Sequence, residues 1–432
     1  MADAIRVFKF GGASVRDASG IRNVGKIVST YGKGPLAVIV SAIGKTTNAL
    51  EGVVSAFAKT NNEEATAKLV AIKQNHYEVA RDLLGDEHPI YAQLNDAFVE
   101  VEWLLEEPFD QAYDYVYDQI VSIGEVASTL LLTAFLQSSG VKVQWFDARG
   151  LIRTDGLHRE AWVDWPTTEQ LIKKQMVPSI QAGTIAVTQG FIGSTSDNET
   201  TTLGREGSDY SAAILSYCLD AESMSIWKDV PGVLTADPRL FDNVTKIDHL
   251  SFREAIEMTY YGAKVIHPKT IKPLQNKAIP LFVKSFLDPE GSGTRIDGNA
   301  PITYPPIITV ESDQALIQIS TRDFSFVAEH HLKDLFNLIA EYRLQVNMMQ
   351  NSAISFSISV NDQEDRVDRF AKALEDNFTC EIRRGLELTT VRHADDLVVE
   401  QQRKGKMRFM NHRVGNAVQM VLGAMEVPVR KG

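Results

Sequence analysis

Hydrophobic and polar positions divide the chain into two rhythms. From the start to about residue 285, short apolar runs alternate with segments of helical period. Ile5 to Phe10 reads as a strand. Ile21, Val24, Ile27 and Val28 then repeat at helical spacing, and Leu36 to Ala42 is a continuous apolar run, as in a strand buried on both faces. A helix is expected over Ala49 to Lys59. Residues 63 to 119 look wholly helical and amphipathic, with breaks at Gly85-Asp86 and Pro108. A strongly apolar helix spans Val126 to Leu136. Further strands are expected at Gln144 to Asp147, Ile185 to Gly193, Glu222 to Trp227 and Pro280 to Ser285. Ser194 to Thr202 reads as a flexible polar loop before a helix at Ser211 to Cys218, and Ser251 to Glu254 carries a capping-box pattern. Strand–helix alternation of this kind builds a doubly wound sheet, whose ligands gather at the C-terminal ends of the strands.

Residues 287 to 306 are rich in Pro, Gly, Asp and Ser, the composition of a linker, and a domain boundary is placed there. Beyond it the rhythm becomes strand Ala315 to Ile319, helix Val327 to Tyr342, strands Gln345 to Met349 and Ala353 to Val360, helix Gln363 to Asn377, and strand Thr379 to Val391. That order, βαββαβ, is a ferredoxin-like sandwich. A shorter echo follows over 386–432, without room for its second helix, and reads as a truncated second copy.

Composition narrows the function classes. Of 432 residues, 44% are apolar and 23% charged, as in a globular protein of two or three domains. The net charge of -12 argues against nucleic acid and anionic membrane surfaces as partners, so an anionic substrate needs a local cluster of cations. The basic run Arg403, Lys404, Lys406 and Arg408 reads as a solvated face. Cys218 and Cys380, each in an apolar segment, suit buried thiols in a reducing cytoplasm. Met1-Ala2-Asp3-Ala4 does not open a signal peptide, and no span of about 18 apolar residues suggests a membrane crossing.

Two glycine-rich turns carry the candidate chemistry. In Lys9-Phe10-Gly11-Gly12-Ala13-Ser14-Val15, a strand, a glycine turn and a helix form an anion cradle with a lysine beside it. It matches neither GxGxxG nor a Walker A loop. In Leu203-Gly204-Arg205-Glu206-Gly207-Ser208-Asp209-Tyr210, Arg205 offers a planar fork for a carboxylate or phosphate, and Ser208 and Asp209 are natural caps of the next helix. Glu125 falls in the first turn of its helix, where a carboxylate suits the dipole. His267, before a proline, reads as packing or hydrogen bonding rather than a catalytic base.

With these two stretches, Asp229-Val230-Pro231-Gly232-Val233-Leu234-Thr235-Ala236-Asp237-Pro238-Arg239 and Gly262-Ala263-Lys264-Val265-Ile266-His267-Pro268 follow in the same order. The chain thereby resembles the aspartokinases of the amino-acid kinase superfamily, closely over residues 5 to about 300 and more loosely in the tail. The resemblance implies an α/β amino-acid-kinase domain over 1–300, a three-layer doubly wound sheet with a helical insert near 63–119. It also implies C-terminal ferredoxin-like (ACT) α+β domains over 308–392 and 386–432. It implies transfer of phosphate from ATP with Mg2+ to the side-chain carboxylate of L-aspartate, the first step toward lysine, threonine and methionine.

For the site, the resemblance places Lys9 on the charge of the transferring phosphoryl group, beside the N–H groups of Gly11 and Gly12. It places Thr47, Glu125, Arg205 and Ser208 on the amino acid, with Glu125 at its ammonium and Arg205 at its α-carboxylate. Asp209 either holds Lys9 or serves the metal, and no residue is assigned as a metal ligand. Ser14, Lys228, Asp229, Leu234, Asp237, Arg239, Lys264 and Val265 complete the nucleotide set. A carboxylate nucleophile is already ionised and needs no base, which agrees with the absence of a His-centred triad signal. The resemblance also implies a homodimer or higher homo-oligomer through the ACT-like tail.

Three departures stand out. Lys228 replaces a usual Thr, followed by Pro231 in place of an Asp. Leu234 stands where a Tyr is common. The effector turn Thr321 to His330 lacks a glycine, and Met349-Gln350-Asn351-Ser352-Ala353 replaces the usual Ser-Thr-Ser-type hairpin, so weak or absent feedback inhibition by lysine or threonine is expected. The rival readings are a related kinase acting on another acidic substrate and a catalytically inactive amino-acid sensor built on the ACT units.

Overall fold

The computed structural model describes residues 4–263, 266–300, 303–322, 326–425 and 429–431. They form two compact units. The first holds the described residues within Met1–Val233, Lys246–Ile256 and Val265–Pro301, and the second those within Leu234–Thr245, Glu257–Lys264 and Ile302–Gly432.

In the first unit, β1 (Arg6–Phe10), α1 (Ala18–Tyr31), β2 (Leu36–Val40) and α2 (Thr46–Ala58) are followed by three helices, α3 (Asn62–Leu84), α4 (Ile90–Glu106) and α5 (Tyr113–Val121). Then come α6 (Ile123–Ser138), β3 (Val143–Phe146), α7 (Trp165–Gln181), β4 (Ile185–Gln189), β5 (Ile192–Ser194), β6 (Thr200–Thr202), α8 (Gly207–Cys218) and β7 (Ser223–Lys228). The last elements are β8 (His249–Ser251), α9 (Phe252–Tyr260), α10 (Pro268–Asn276), β9 (Leu281–Ser285) and β10 (Thr294–Asp297).

The main sheet runs β3-β4-β2-β1-β7-β9-β10-β8, parallel from β3 through β9. Its central strands are apolar on both faces because helices cover both: α6 packs on β2, β3 and β4, while α8 packs on β1, β2 and β7. Val7, Phe10, Leu36, Val38 and Val40 are wholly buried, and Trp227 stacks on Phe10 with ring centroids 5.8 Å apart. The register pairs Lys9 with Ile39 on one side and Ile226 on the other. The loops after β1, β2, β4 and β7 therefore leave from one end of the sheet.

Several expectations change. The stretch 194–202 is a β5–β6 hairpin with Ile192 paired to Thr202, because Thr200, Thr201 and Thr202 are β-branched and buried. Residues 287–306 contain strand β10, antiparallel to β9 in the main sheet. Helix α7 had no sequence signal strong enough to read, although Asp164 accepts from Thr167 N–H as its cap and Pro166 sits at its start. At β8–α9 the Ser251 Oγ half of the expected capping box forms, accepting from Glu254 N–H at 3.0 Å. Contrary to expectation, Tyr113–Ser138 is long and apolar enough to cross a membrane by length and composition. It is 83% buried inside the protein, so its apolar faces are core.

The second unit contains β11 (Ile307–Thr321), α11 (Glu329–Glu341), β12 (Val346–Asn351), β13 (Ser355–Asn361), α12 (Glu364–Leu374), β14 (Phe378–Arg392), α13 (Asp396–Arg403), β15 (Met407–Val414), β16 (Ala417–Gly423) and β17 (Val429–Lys431). Its sheet runs β12-β13-β11-β14-β16-β15, with β17 also on β14. The first four strands give the ferredoxin-like order, and Leu335, Ile339, Val367 and Phe370 of its helices share one core with Ile317, Ile319 and Ile358. The fifteen-residue β11 exceeds the expected strand: Ile307 to Glu311 pairs with Arg392 to Leu388, beside β16. The start of β11 thus joins the β14–β16–β15 part of the sheet, a long-range pairing that no local pattern announces.

Candidate active site

The first glycine turn begins where β1 stops. Gly12 is held against the loop after β2: a Cβ there would lie 2.7 Å from the Gly44 carbonyl oxygen and 2.9 Å from that of Ala42. Only glycine permits this approach. Gly44 N–H donates to the Gly12 carbonyl at 3.1 Å, Ser14 N–H donates to the Gly11 carbonyl at 2.9 Å, and the buried Ser14 hydroxyl donates to the Trp227 carbonyl. The turns after β1, β2 and β7 are tied together.

Lys9 is buried, and its Nζ lies 2.5 Å from Asp209 Oδ1. Lys228, the last residue of β7, reaches Asp209 Oδ2 at 3.8 Å. It lies two residues beyond Ile226, the register partner of Lys9, and strand alternation puts all three side chains on one face. Burial alone would raise the Asp209 carboxyl, but the charges of Lys9 and Lys228 and a hydrogen bond from Lys9 hold it below the usual carboxylate range. Asp209 is thus ion-paired with both Lys9 and Lys228. Among the described residues no group of three or more His, Cys, Asp or Glu could hold a metal ion.

Ser208 and Asp209 are not the caps of α8. Glu206 takes that place in the left-handed conformation, φ 54°, following Gly204 at φ 77°. The tight path of these residues sets Ser208 and Asp209 inside the first turn, pointing inward. Gly190 supports them, since a Cβ there would lie 2.5 Å from that of Ser208. Arg205 is exposed just before α8.

Glu125 is the sharpest electrostatic feature. It is wholly inside the protein at the start of α6, and burial pushes its carboxyl up to about 8. One oxygen accepts from Ala42 N–H at 3.4 Å, and the charge of Lys9 acts in the same downward direction without offsetting the burial. The other oxygen, Oε2, has no hydrogen-bond partner among the described residues. Thr47 sits half-buried in the first turn of α2.

The structure brings Lys9, Asp209, Lys228 and Glu125 together through contact and charge. Asp229 is exposed at the end of β7, in the same unit. Leu234, Asp237 and Arg239 belong to the second unit, where the Arg239 guanidinium pairs with Asp237 at 2.6 Å. Lys264 and Val265 lie outside the described residues. His267 caps α10, accepting from Lys269 N–H, which agrees with a hydrogen-bonding role. Sequence reasoning did not single out Asp118, whose one signal was an acid in the apolar run Val116 to Val121.

The amino acid kinase family model matches residues 4–285. The lysine-sensitive aspartokinase 3 of Escherichia coli is 32% identical over 360 residues, 83% of this chain and 78% of that protein. The chloroplastic aspartokinase 1 of Arabidopsis thaliana is 30% identical over 365 residues, and the match spans 63% of its length. The solved structure of E. coli aspartokinase III in complex with aspartate and ADP superposes with a TM-score of 0.80 at 28% identity, covering 97% of this chain and 96% of that one. The fold is thus an amino-acid-kinase α/β sheet followed by ferredoxin-like ACT α+β domains. The chain belongs to the aspartokinases of the amino acid kinase family.

Proposed function

We propose that this chain transfers the γ-phosphoryl group of MgATP to the side-chain carboxylate of L-aspartate, giving 4-phospho-L-aspartate. One observation carries the choice of an amino-acid acceptor: Glu125, a buried acid with an unpartnered oxygen. Buried charges are normally paired. Here burial keeps the acid protonated in the empty site, and an incoming α-ammonium supplies the cation that lets it ionise. Arg205 then takes the α-carboxylate, and Thr47 and Ser208 supply hydrogen bonds.

The acceptor carboxylate, with an ordinary pKa of about 3.9, arrives ionised, so no base is required. The barrier is the approach of one anion to another, and catalysis is positioning plus cationic screening. Lys9 serves the charge that moves with the phosphoryl group, and Asp209 fixes its ammonium. The turn N–H groups of Gly11 and Gly12 face the same charge. Mg2+ enters with the nucleotide, which suits an ion that keeps phosphate and water ligands rather than a protein cage. Lys228 adds a phosphate contact beside Lys9. Asp229, Leu234, Asp237, Arg239, Lys264 and Val265 are read as nucleotide positions through the family resemblance.

Residues 1–300 are read as the kinase domain, with 308–392 and 386–432 as ACT-like units serving as the contact for a second copy. The missing glycine in the effector turn supports weak feedback inhibition. Purified protein with MgATP and a panel of L-aspartate, L-glutamate and N-acetylglutamate, with acyl phosphate trapped by hydroxylamine, tests the reaction. Hydroxamate from aspartate is expected, and its absence refutes the assignment.

A further inference from the structure

Asp118 lies on α5 with no exposed surface, among the buried Val116, Ile120 and Val121. Burial raises its carboxyl, opposed by hydrogen bonds. Its Oδ2 accepts from Thr202 N–H at 2.9 Å, Arg159 N–H at 3.0 Å and His158 Nδ1 at 3.0 Å, and its Oδ1 accepts from the Thr202 hydroxyl at 2.7 Å. A buried carboxylate saturated with four donors fixes geometry more tightly than apolar packing does.

Its neighbours extend the same pattern. Gln119 Nε2 donates to the Thr200 carbonyl at 2.9 Å, and the Tyr117 hydroxyl donates to Glu51 Oε1 at 2.7 Å. Thr202 is also gripped from its other side, its carbonyl accepting from Ala161 N–H at 3.0 Å. Three consecutive residues of one nine-residue helix therefore hold separate segments that lead to the proposed acceptor subsite. Thr202 ends the strand that leads, three residues on, to Arg205. Glu51 lies one helical turn beyond Thr47. Ser122 joins α5 directly to α6, whose third residue is Glu125.

We propose that Asp118 is a positioning residue of the acceptor subsite: it clamps the Thr200–Thr202 strand so that Arg205 is presented in register with Thr47 and Glu125. The inference rests on the reading that Arg205 and Glu125 take the two charged ends of the amino acid. Asp118 itself touches no reacting atom. Removing the clamp loosens acceptor binding and leaves the nucleotide end, built on Lys9, Gly12 and Asp209, as it is.

Steady-state kinetics on four variants test this. Asp118→Asn puts an amide N–H2 where one oxygen accepts, and it is expected to raise the KM for aspartate roughly tenfold or more. The KM for ATP should stay within about twofold, a split that general loosening of the fold would not produce. Thr202→Val removes only the hydroxyl donor, so a smaller rise in the same KM is expected, restored by Thr202→Ser. If Asp118→Asn does not fold, as judged by its melting transition, the Thr202 pair decides. A rise in both KM values together, or an unchanged aspartate KM in folded variants, overturns the clamp. Arg205→Ala separates the two layers: if it raises the aspartate KM while the clamp variants do not, the subsite reading stands and this inference falls. If Arg205→Ala has no effect, both fall.

Discussion

Lys9 and Glu125 show how burial converts ordinary side chains into a site. Lys9 sits on a central strand, paired to Asp209 at 2.5 Å, where a lone ammonium would be costly. In the proposed function its charge serves the phosphoryl group in flight. Lys9→Ala is expected to lower kcat by roughly a hundredfold or more, with a small change in the KM for aspartate. The reverse split makes Lys9 a ground-state ligand only. Glu125 gives a pH signature. Its folded value of about 8 means that at neutral pH the empty site holds a proton that the ammonium must displace. The KM for aspartate should therefore fall as pH rises from 6 to 9, and Glu125→Gln should flatten that dependence. Stability runs the other way. The folded carboxyl binds its proton more tightly than the unfolded one, so its contribution is full below about 4.3 and is lost as pH rises through about 8. Melting temperature measured without substrate should drop over that window more in the wild type than in Glu125→Gln. Lys228 is the residue-scale departure from the family. Lys228→Thr is expected to raise the KM for ATP, and an unchanged value removes its phosphate contact.

At the scale of elements, the site depends on turns that touch. The loop after β1 lies against the loop after β2 at Gly12, with no room for a methyl group. Gly12→Ala should destabilise the protein by about 1–3 kcal/mol, because the clash is with backbone oxygens that cannot rotate away. It should also lower kcat more than it changes either KM, since it moves the turn beside Lys9. Chemical denaturation and initial rates measure the two effects. The same logic governs the second glycine turn, where left-handed Glu206 aims Ser208 and Asp209 into the protein rather than leaving them as caps. The patterns of strand and helix were legible here, with apolar runs marking β1, β2, β4 and β7. The hairpin β5–β6 was not legible, because three consecutive threonines satisfy both a polar loop and a buried strand.

For the whole molecule, regulation belongs to the proposed reading of the second unit. Its β11 and β14 each serve two halves of one sheet, and Gln314 is buried at the bulge where β11 changes register. The stretch Thr321 to His330, of which Asp323, Phe324 and Ser325 lie outside the described residues, has no glycine to let an effector approach the backbone. Titration with lysine or threonine at millimolar concentration is therefore expected to leave the rate nearly unchanged. Strong inhibition by either would sink this. The E. coli relative at 32% identity is lysine-sensitive by name, so the contrast is a direct one to measure.

The sequence by itself determined the order of elements, the alternation that makes a parallel sheet, and the two glycine turns with their lysine and arginine. These follow from local rules: period, steric freedom at glycine, and charge type. Only the tertiary structure decided that Lys9 and Lys228 share Asp209, 200 and 19 positions away from it. It also decided that Glu125 is stripped of water with one oxygen left unpartnered, and that Asp118 binds four donors. Those properties depend on distance and dielectric, which arise when remote segments pack and which no local pattern along the chain encodes.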